Sequence, residues 1–231
     1  MTELKEKFDN VFVAIKKNVD DSINDNQEDI SKLLIKLEII KKCQNNLTSN
    51  CIEVLEEVEN DLLNGILFMT QAFYRNAFKC LRSAMELALS FIYYTDRNYE
   101  FLLWRHNYID MTWNKLIDTE NGVMSKKYLQ LFFDGELNIE ELSKDIKKCY
   151  HECSEYVHGK YSFMQSINEV NVKYSQKYLN QYIQKANEVF DCIIVLLFIR
   201  FGRLVNYKQT FEEYKDYWKG PIRKYGGNIN E

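Results

Sequence analysis

Four side chains of types that bind metal ions lie within ten residues of one another: Cys149, His151, Cys153 and His158. Zinc binds such thiolates and imidazoles. If this segment is one helix, at about 100° per residue, the two cysteines share a face and His151 points away from them. A zinc site would require the helix to break. We therefore expect no metal here, and no other motif in the chain indicates a cofactor.

Arg82 and Glu86 lie four residues apart in a segment that is apolar on nearly every side. On a helix this spacing lets the two side chains touch, and charges on a buried helix must be paired or take part in chemistry. We predict that these charges are neutralised in an ion pair, either with each other along the helix or with a residue of a neighbouring helix. In the functional alternative, Arg82 supplies a cation to an active site or Glu86 orients the ring of His158.

The lysines around the histidine segment form the strongest local basic patch, comprising Lys144, Lys147, Lys148 and Lys160. The chain as a whole does not indicate a nucleic-acid binder, because 30 Lys and Arg face 34 Asp and Glu for a net charge of −4. An RNA-facing surface could be built from this patch. A solvated helix face is the other interpretation.

One proline and eight glycines in 231 residues predict long, uninterrupted helices. No window alternates apolar and polar residues with the period of a strand, so we predict an all-α helical bundle. With 46% hydrophobic and 28% charged residues, the composition is that of a globular protein. The six cysteines are expected to be free thiols.

The apolar spacing divides the chain into three parts. Residues 1–50 are predicted to form an N-terminal helical hairpin, with helices at residues 3–17 and 30–42 and a loop at 18–29. Residues 51–205 form a helical core, in which the segment 74–94 is central because it is apolar all round. Residues 206–231 form a polar, aromatic tail.

The longest apolar run, Cys192 to Ile199, is too short to span a membrane, which takes about 20 residues. We interpret it as a buried helix segment or an interface between subunits. The N-terminus lacks the basic start and apolar stretch of a secretory signal. These features predict a cytoplasmic protein with no membrane partner.

Two stretches, 71–89 (QAFYRNAFKCLRSAMELAL) and 150–159 (YHECSEYVHG), resemble the HEPN superfamily (higher eukaryotes and prokaryotes nucleotide-binding). In that family a tight turn precedes a helix with tyrosine, alanine, arginine and glutamate, and a later helix carries a serine followed by valine, histidine and glycine. The resemblance covers about residues 54–201. It implies a helical bundle, dimerisation through the motif helix, and membership of a group rich in RNases of phage-defence, toxin–antitoxin and RNA-processing systems.

The chain departs from the catalytic members of that family at one motif. Those members carry an arginine separated by four to six residues from the histidine, and the corresponding positions before His158 hold Cys153, Glu152 and His151. A metal-free RNase needs a general acid or base and a cation that stabilises the transition state. His151 lies two turns before His158, but a neutral imidazole does not replace a permanent cation.

We therefore expect a non-catalytic HEPN-like module that binds protein or RNA in a bacterial or mobile-element conflict system. The alternative is a metal-independent ribonuclease that uses His158 with Arg82 or Arg105 from elsewhere in the bundle. The resemblance also implies a homodimer with a shared groove. The predicted site residues are catalytic His158, Arg82 and Glu86, and partner- or RNA-binding Lys147, Lys148, Tyr150, His151, Ser154, Lys160 and Tyr161.

Overall fold

The computed structural model describes residues 2–133, 137–158, 173–202, 209 and 212–226. This part of the chain contains nine helices and no strand, which confirms the all-α prediction. The helices are α1 (Thr2–Asn45), α2 (Ile52–Thr70), α3 (Tyr74–Thr95), α4 (Asn98–Arg105), α5 (Trp113–Leu116), α6 (Lys126–Phe132), α7 (Ile139–Val157), α8 (Gln176–Phe201) and α9 (Lys215–Lys224).

Helices α3 and α8 form the centre of the bundle. Helix α3 packs against α2, α7 and α8, and its buried residues occupy most of its circumference, as its all-round apolar sequence predicts. Helix α8 contacts α1, α2, α3, α6, α7 and α9. Its apolar run is buried from Cys192 to Leu197, so this run fills the centre of the bundle. Within the described ranges, no helix combines the length and the apolarity needed to cross a bilayer.

The N-terminal region is a single kinked helix and not the predicted hairpin. Helix α1 runs from Thr2 to Asn45, and its backbone leaves helical geometry at Asn26 (φ −139°, ψ 27°). The predicted loop at residues 18–29 is helical because its polar side chains bond to the bundle. Ser22 Oγ donates to the carbonyl of Thr70 at 3.1 Å, and Asn18 Oδ1 accepts from the amide of Tyr174 at 3.1 Å.

The C-terminal region also differs from the predicted tail, because α9 packs against α8. Trp218 and Ile222 are buried, and the indole of Trp218 stacks on Phe198 with 4.8 Å between ring centroids. The amide of Asn138, which caps the N-terminus of α7, donates to the carbonyl of Tyr225 at 2.7 Å. The C-terminal segment therefore belongs to the bundle.

The turn between α2 and α3 sets where the central helix begins. The amide of Phe73 donates to the carbonyl of Phe68 at 2.8 Å, and that of Ala72 donates to Met69 at 3.0 Å. This is the Schellman pattern, which requires a left-handed residue after the helix cap. Ala72 is that residue, with φ 65°. The rings of Phe68 and Phe73 complete the motif with an edge-to-face contact at 6.4 Å.

Candidate functional site

Helices α3 and α7 lie antiparallel and form the walls of a groove of about 330 Å³. Their direction follows from two contacts: Arg75 reaches the C-terminal end of α7, and Arg82 reaches residues further back on the same helix. The lining residues are Arg82, Tyr150, His151, Ser154, Glu155 and His158. Five of these six are site residues predicted from the sequence, and the fold brings them together from two helices.

Each helix presents a row of polar side chains with the same spacing. On α3 the row is Arg75, Lys79, Arg82 and Glu86, and on α7 it is Lys147, His151, Ser154 and His158. In both rows the residues are four, three and four apart, so each row occupies one face of its helix. We call these two sets the α3 row and the α7 row.

Arg82 joins the two rows. Its Nε donates to Ser154 Oγ at 3.2 Å, its Nη2 donates to the hydroxyl of Tyr150, and its Nη1 lies 3.1 Å from Glu86 Oε2. The predicted ion pair with Glu86 is therefore present, and its side chains are 29% and 25% exposed. The guanidinium is held on three sides by groups of the protein itself.

Tyr150 is fixed between two flat groups. Its ring stacks on Trp113 of α5 with 3.5 Å between centroids and 5° between planes, and the guanidinium of Arg82 lies 4.7 Å from the ring centroid. Burial raises the pKa of the Tyr150 hydroxyl, and the nearby Glu86 carboxylate acts in the same direction. The hydroxyl is therefore neutral near pH 7 and serves as a hydrogen-bonding group in the groove.

Arg75 is a site residue that the sequence did not single out. Its Nε donates to the carbonyl of Tyr156 and its Nη2 to the carbonyl of Val157, both at 3.0 Å. These are the last carbonyls of α7, where the helix carries partial negative charge. Both acceptors are neutral, so Arg75 keeps its full charge one residue from His158. Its seven-residue spacing from Arg82 could have indicated a shared face.

The two histidines of the α7 row are exposed. His158 forms the C-cap of α7, and its amide donates to the carbonyl of Ser154 at 2.9 Å. His151 Nε2 lies 3.6 Å from Glu155 Oε1, one turn along the helix. Because α3 and α7 are antiparallel, Glu86 lies at the end of the groove opposite His158. The two residues are separated by more than two helical turns. This geometry favours a role for Glu86 in holding Arg82 over the predicted role in orienting His158.

Other predicted residues lie outside the groove. Lys148 lines two different cavities, one of about 140 Å³ with Cys149 and Lys224 and one of about 300 Å³ with Lys185. Lys147 is in the α7 row but does not line the groove. Arg105 pairs with Glu53 of α2 at 3.8 Å. Lys160 and Tyr161 lie outside the described residues.

The cysteines and histidines of α7 lie on different faces of the helix. Cys149 and Cys153 are buried, and Cys149 donates to Glu188 of α8 at 3.6 Å. His151 and His158 line the groove toward α3. In the ranges that the structure describes, no group of three or more His, Cys, Asp or Glu side chains is arranged to hold a metal ion.

Comparison of the chain with family models, curated proteins and solved structures gives no match. HEPN membership therefore stays a prediction from the two motifs.

Proposed function

We propose that this chain is a HEPN-like RNA-binding module whose α3–α7 groove holds the phosphodiester backbone of single-stranded RNA without cleaving it. The observation that carries the proposal is the groove itself, in which Arg82, Tyr150, His151, Ser154 and His158 share one surface. The setting in a bacterial or mobile-element conflict system is part of the same proposal and rests on the family resemblance.

The charges along the groove support an anionic ligand. Arg82 lines the groove, and three further cations lie on the same two helix faces: Arg75, Lys79 and Lys147. The carboxylates nearest to them are those of Glu86 in the α3 row and Glu155 in the groove lining. The exposed imidazoles of His151 and His158 add hydrogen-bonding groups that become cationic on protonation. Phosphate oxygens are bound by arginine, lysine, serine and tyrosine side chains of this kind.

The contacts of Arg82 favour binding over cleavage. Its three guanidinium nitrogens are engaged by Ser154, Tyr150 and Glu86, so it organises the groove and is partly neutralised. A catalytic cation must instead face the charge that develops in the transition state. Arg82 would have to exchange these partners to do so.

A ribonuclease is the second candidate, and the position of Arg75 favours it. The guanidinium of Arg75 is bonded to the backbone carbonyl of Val157, so a permanent cation lies at the residue next to His158 in the chain. This arrangement could supply the cation that α7 lacks in its own sequence. Such an enzyme would pair His158 with an arginine from a neighbouring helix.

Fluorescence anisotropy with a labelled single-stranded RNA in EDTA tests the proposal. We expect Arg75→Gln to weaken binding about fivefold and to reduce the slope of log affinity against log salt by about one, because one phosphate contact is lost. Arg105→Gln removes a similar exposed charge outside the groove and should leave affinity unchanged. Absence of binding by the wild type at low salt, or equal losses in the two variants, would contradict the proposal.

Gel analysis of the same RNA separates the two candidates. A binding module leaves the RNA intact after prolonged incubation in EDTA. Cleavage that disappears in both His158→Ala and Arg75→Gln, while persisting in Arg105→Gln, would establish the ribonuclease instead.

A further inference from the structure

The first fifteen or so residues of α1 extend beyond the bundle as a solvent-exposed helix, which we call the arm (residues 3–17). Leu4, Phe8, Val11 and Phe12 are between 44% and 63% exposed. Exposed apolar side chains are normal when scattered singly, but a contiguous row of them marks an interaction surface. Burial of α1 by the bundle begins further along, at Asn18.

The apolar side chains of the arm follow the spacing of a coiled-coil seam. Leu4, Phe8, Val11 and Ile15 are separated by four, three and four residues, the alternation of d and a positions in a heptad. The same face continues through the buried residues Asn18 and Ser22, where α1 packs on the bundle. The arm therefore carries the packing face of α1 past the end of its own bundle, and this face fits another helix.

We propose that the arm pairs with the arm of a second copy of this chain in antiparallel orientation. The bundle lies on the seam side of α1, so a parallel pair would force two bundles into the same space beside each other. Antiparallel pairing places the partner's bundle beyond residue 3 of the arm, away from the described part of the first copy's bundle.

The sequence of the arm fits this orientation. In a register that aligns the a and d layers, Leu4 packs on Ile15 of the partner subunit, and Phe8 packs on Val11 of the partner subunit. Residues 3–9 carry a net charge of −1 and residues 10–17 carry +2, so the halves that meet are of opposite sign.

The size of the apolar surface also suits a dimer. Two arms together present four phenylalanine rings that are more than half exposed. Each buries about 150–250 Å² when fully covered, and the leucine, valine and isoleucine side chains add to this area. The total is near the lower limit of about 1,000 Å² for a specific interface. We therefore expect a dimer that dissociates in the micromolar range.

Sedimentation equilibrium across micromolar concentrations tests the pairing. The wild type should approach twice the 27.7 kDa chain mass, and Phe8→Asp should remain monomeric with unchanged helicity, because Phe8 does not support the bundle. Val13→Asp is the matched control: Val13 is 70% exposed on the same arm but on the side opposite the seam. A wild type that is still monomeric at about 100 µM, well above a micromolar dissociation constant, or dissociation of Val13→Asp to the same extent, would overturn the proposal.

Cysteine cross-linking tests the orientation. Mixing Leu4→Cys with Ile15→Cys should give a cross-linked pair of unlike chains under mild oxidation, because the two positions meet in the antiparallel register. Leu4→Cys alone should not cross-link to itself. Self-cross-linking of Leu4→Cys would show parallel arms and contradict the proposed geometry.

Discussion

Arg82 Nε and Ser154 Oγ are hydrogen-bonded at 3.2 Å, and the same hydroxyl donates to the carbonyl of Tyr150 at 2.7 Å. Ser154 is buried, so this contact places a fixed polar link between α3 and α7 beneath the groove. We expect Ser154→Ala to destabilise the fold by about 1–2 kcal/mol, because Arg82 loses a partner in a half-buried position. Chemical denaturation measures the loss, and Ser143→Ala, earlier on α7, serves as the control.

The Arg82–Glu86 pair predicts a moderate stability effect. Glu86→Ala should lower the free energy of unfolding by about 1–2 kcal/mol, between the values for exposed and fully buried pairs. The side chains are 29% and 25% exposed, and Arg82 keeps its contacts with Ser154 and Tyr150. Glu56→Ala, on the exposed face of α2, is the control and should change stability very little. A loss no larger than that of the control would show that the carboxylate is effectively solvated.

The turn before α3 offers a stabilising substitution. Ala72 adopts φ 65°, which costs an L-residue with a side chain about 1–2 kcal/mol relative to the right-handed helical region. Glycine has no such penalty but gains freedom in the unfolded chain, so Ala72→Gly should stabilise the protein by about 0.5–1 kcal/mol. A rise in melting temperature checks this. A fall would mean that the lost methyl packing outweighs the strain.

Gly65 and Tyr182 should show strong coupling. A Cβ at Gly65 would lie 2.5 Å from the hydroxyl oxygen of Tyr182, which is buried with no partner among the described residues. We expect Gly65→Ala to destabilise the fold by about 1–3 kcal/mol and Tyr182→Phe to be neutral or stabilising. The double variant should recover much of the loss, as a double-mutant cycle would reveal. Additive effects would contradict the contact.

Acid should destabilise the α7–α8 interface. Burial alone would raise the pKa of Glu188, but the hydrogen bond and charge of Lys185 outweigh it and lower this pKa below its ordinary 4.5. A carboxylate with a lowered pKa stabilises the fold above its unfolded pKa, and this contribution is lost as the pH falls through its folded pKa. The melting temperature should therefore drop below about pH 4.5.

Lys185→Met tests the cause of that acid dependence. Lys185 Nζ contacts both Glu152 and Glu188, so its removal leaves two carboxylates without their shared cation. The variant should be less stable at pH 7 and should lose less stability on acidification than the wild type. Lys144→Met, which removes an exposed lysine of α7, should keep the wild-type pH profile. An unchanged profile in Lys185→Met would assign the acid sensitivity to other groups.

The helices whose position in the bundle could be predicted are those whose apolar residues directly indicate which faces are buried. The central positions of α3 and α8 follow from residues that are apolar on several sides, and the Arg82–Glu86 pair follows from its spacing. The prediction of a loop at residues 18–29 was wrong. The polar side chains of Asn18 and Ser22 form hydrogen bonds with neighbouring backbone and do not face solvent. Sequence pattern alone does not distinguish these two reasons for polarity.

The site was predicted in part for a similar reason. Tyr150, His151, Ser154 and His158 could be grouped because they lie on one helix. The role of Arg75 depends on the alignment of α3 with α7, a relationship between residues about eighty positions apart. Helix α9 was missed because its segment is polar and aromatic with no sustained apolar repeat, whereas two buried side chains, Trp218 and Ile222, are enough to anchor it on α8.

The central position of α8 has a consequence for synthesis on the ribosome. This helix begins at Gln176 and is the common packing partner of α1, α2, α3 and α7. Translation delivers about 5–20 residues per second, so the earlier helices emerge many seconds before their shared partner. The faces of these helices that pack on α8 stay uncovered during that interval. We therefore expect the nascent chain to expose apolar helix faces until its last quarter has left the exit tunnel.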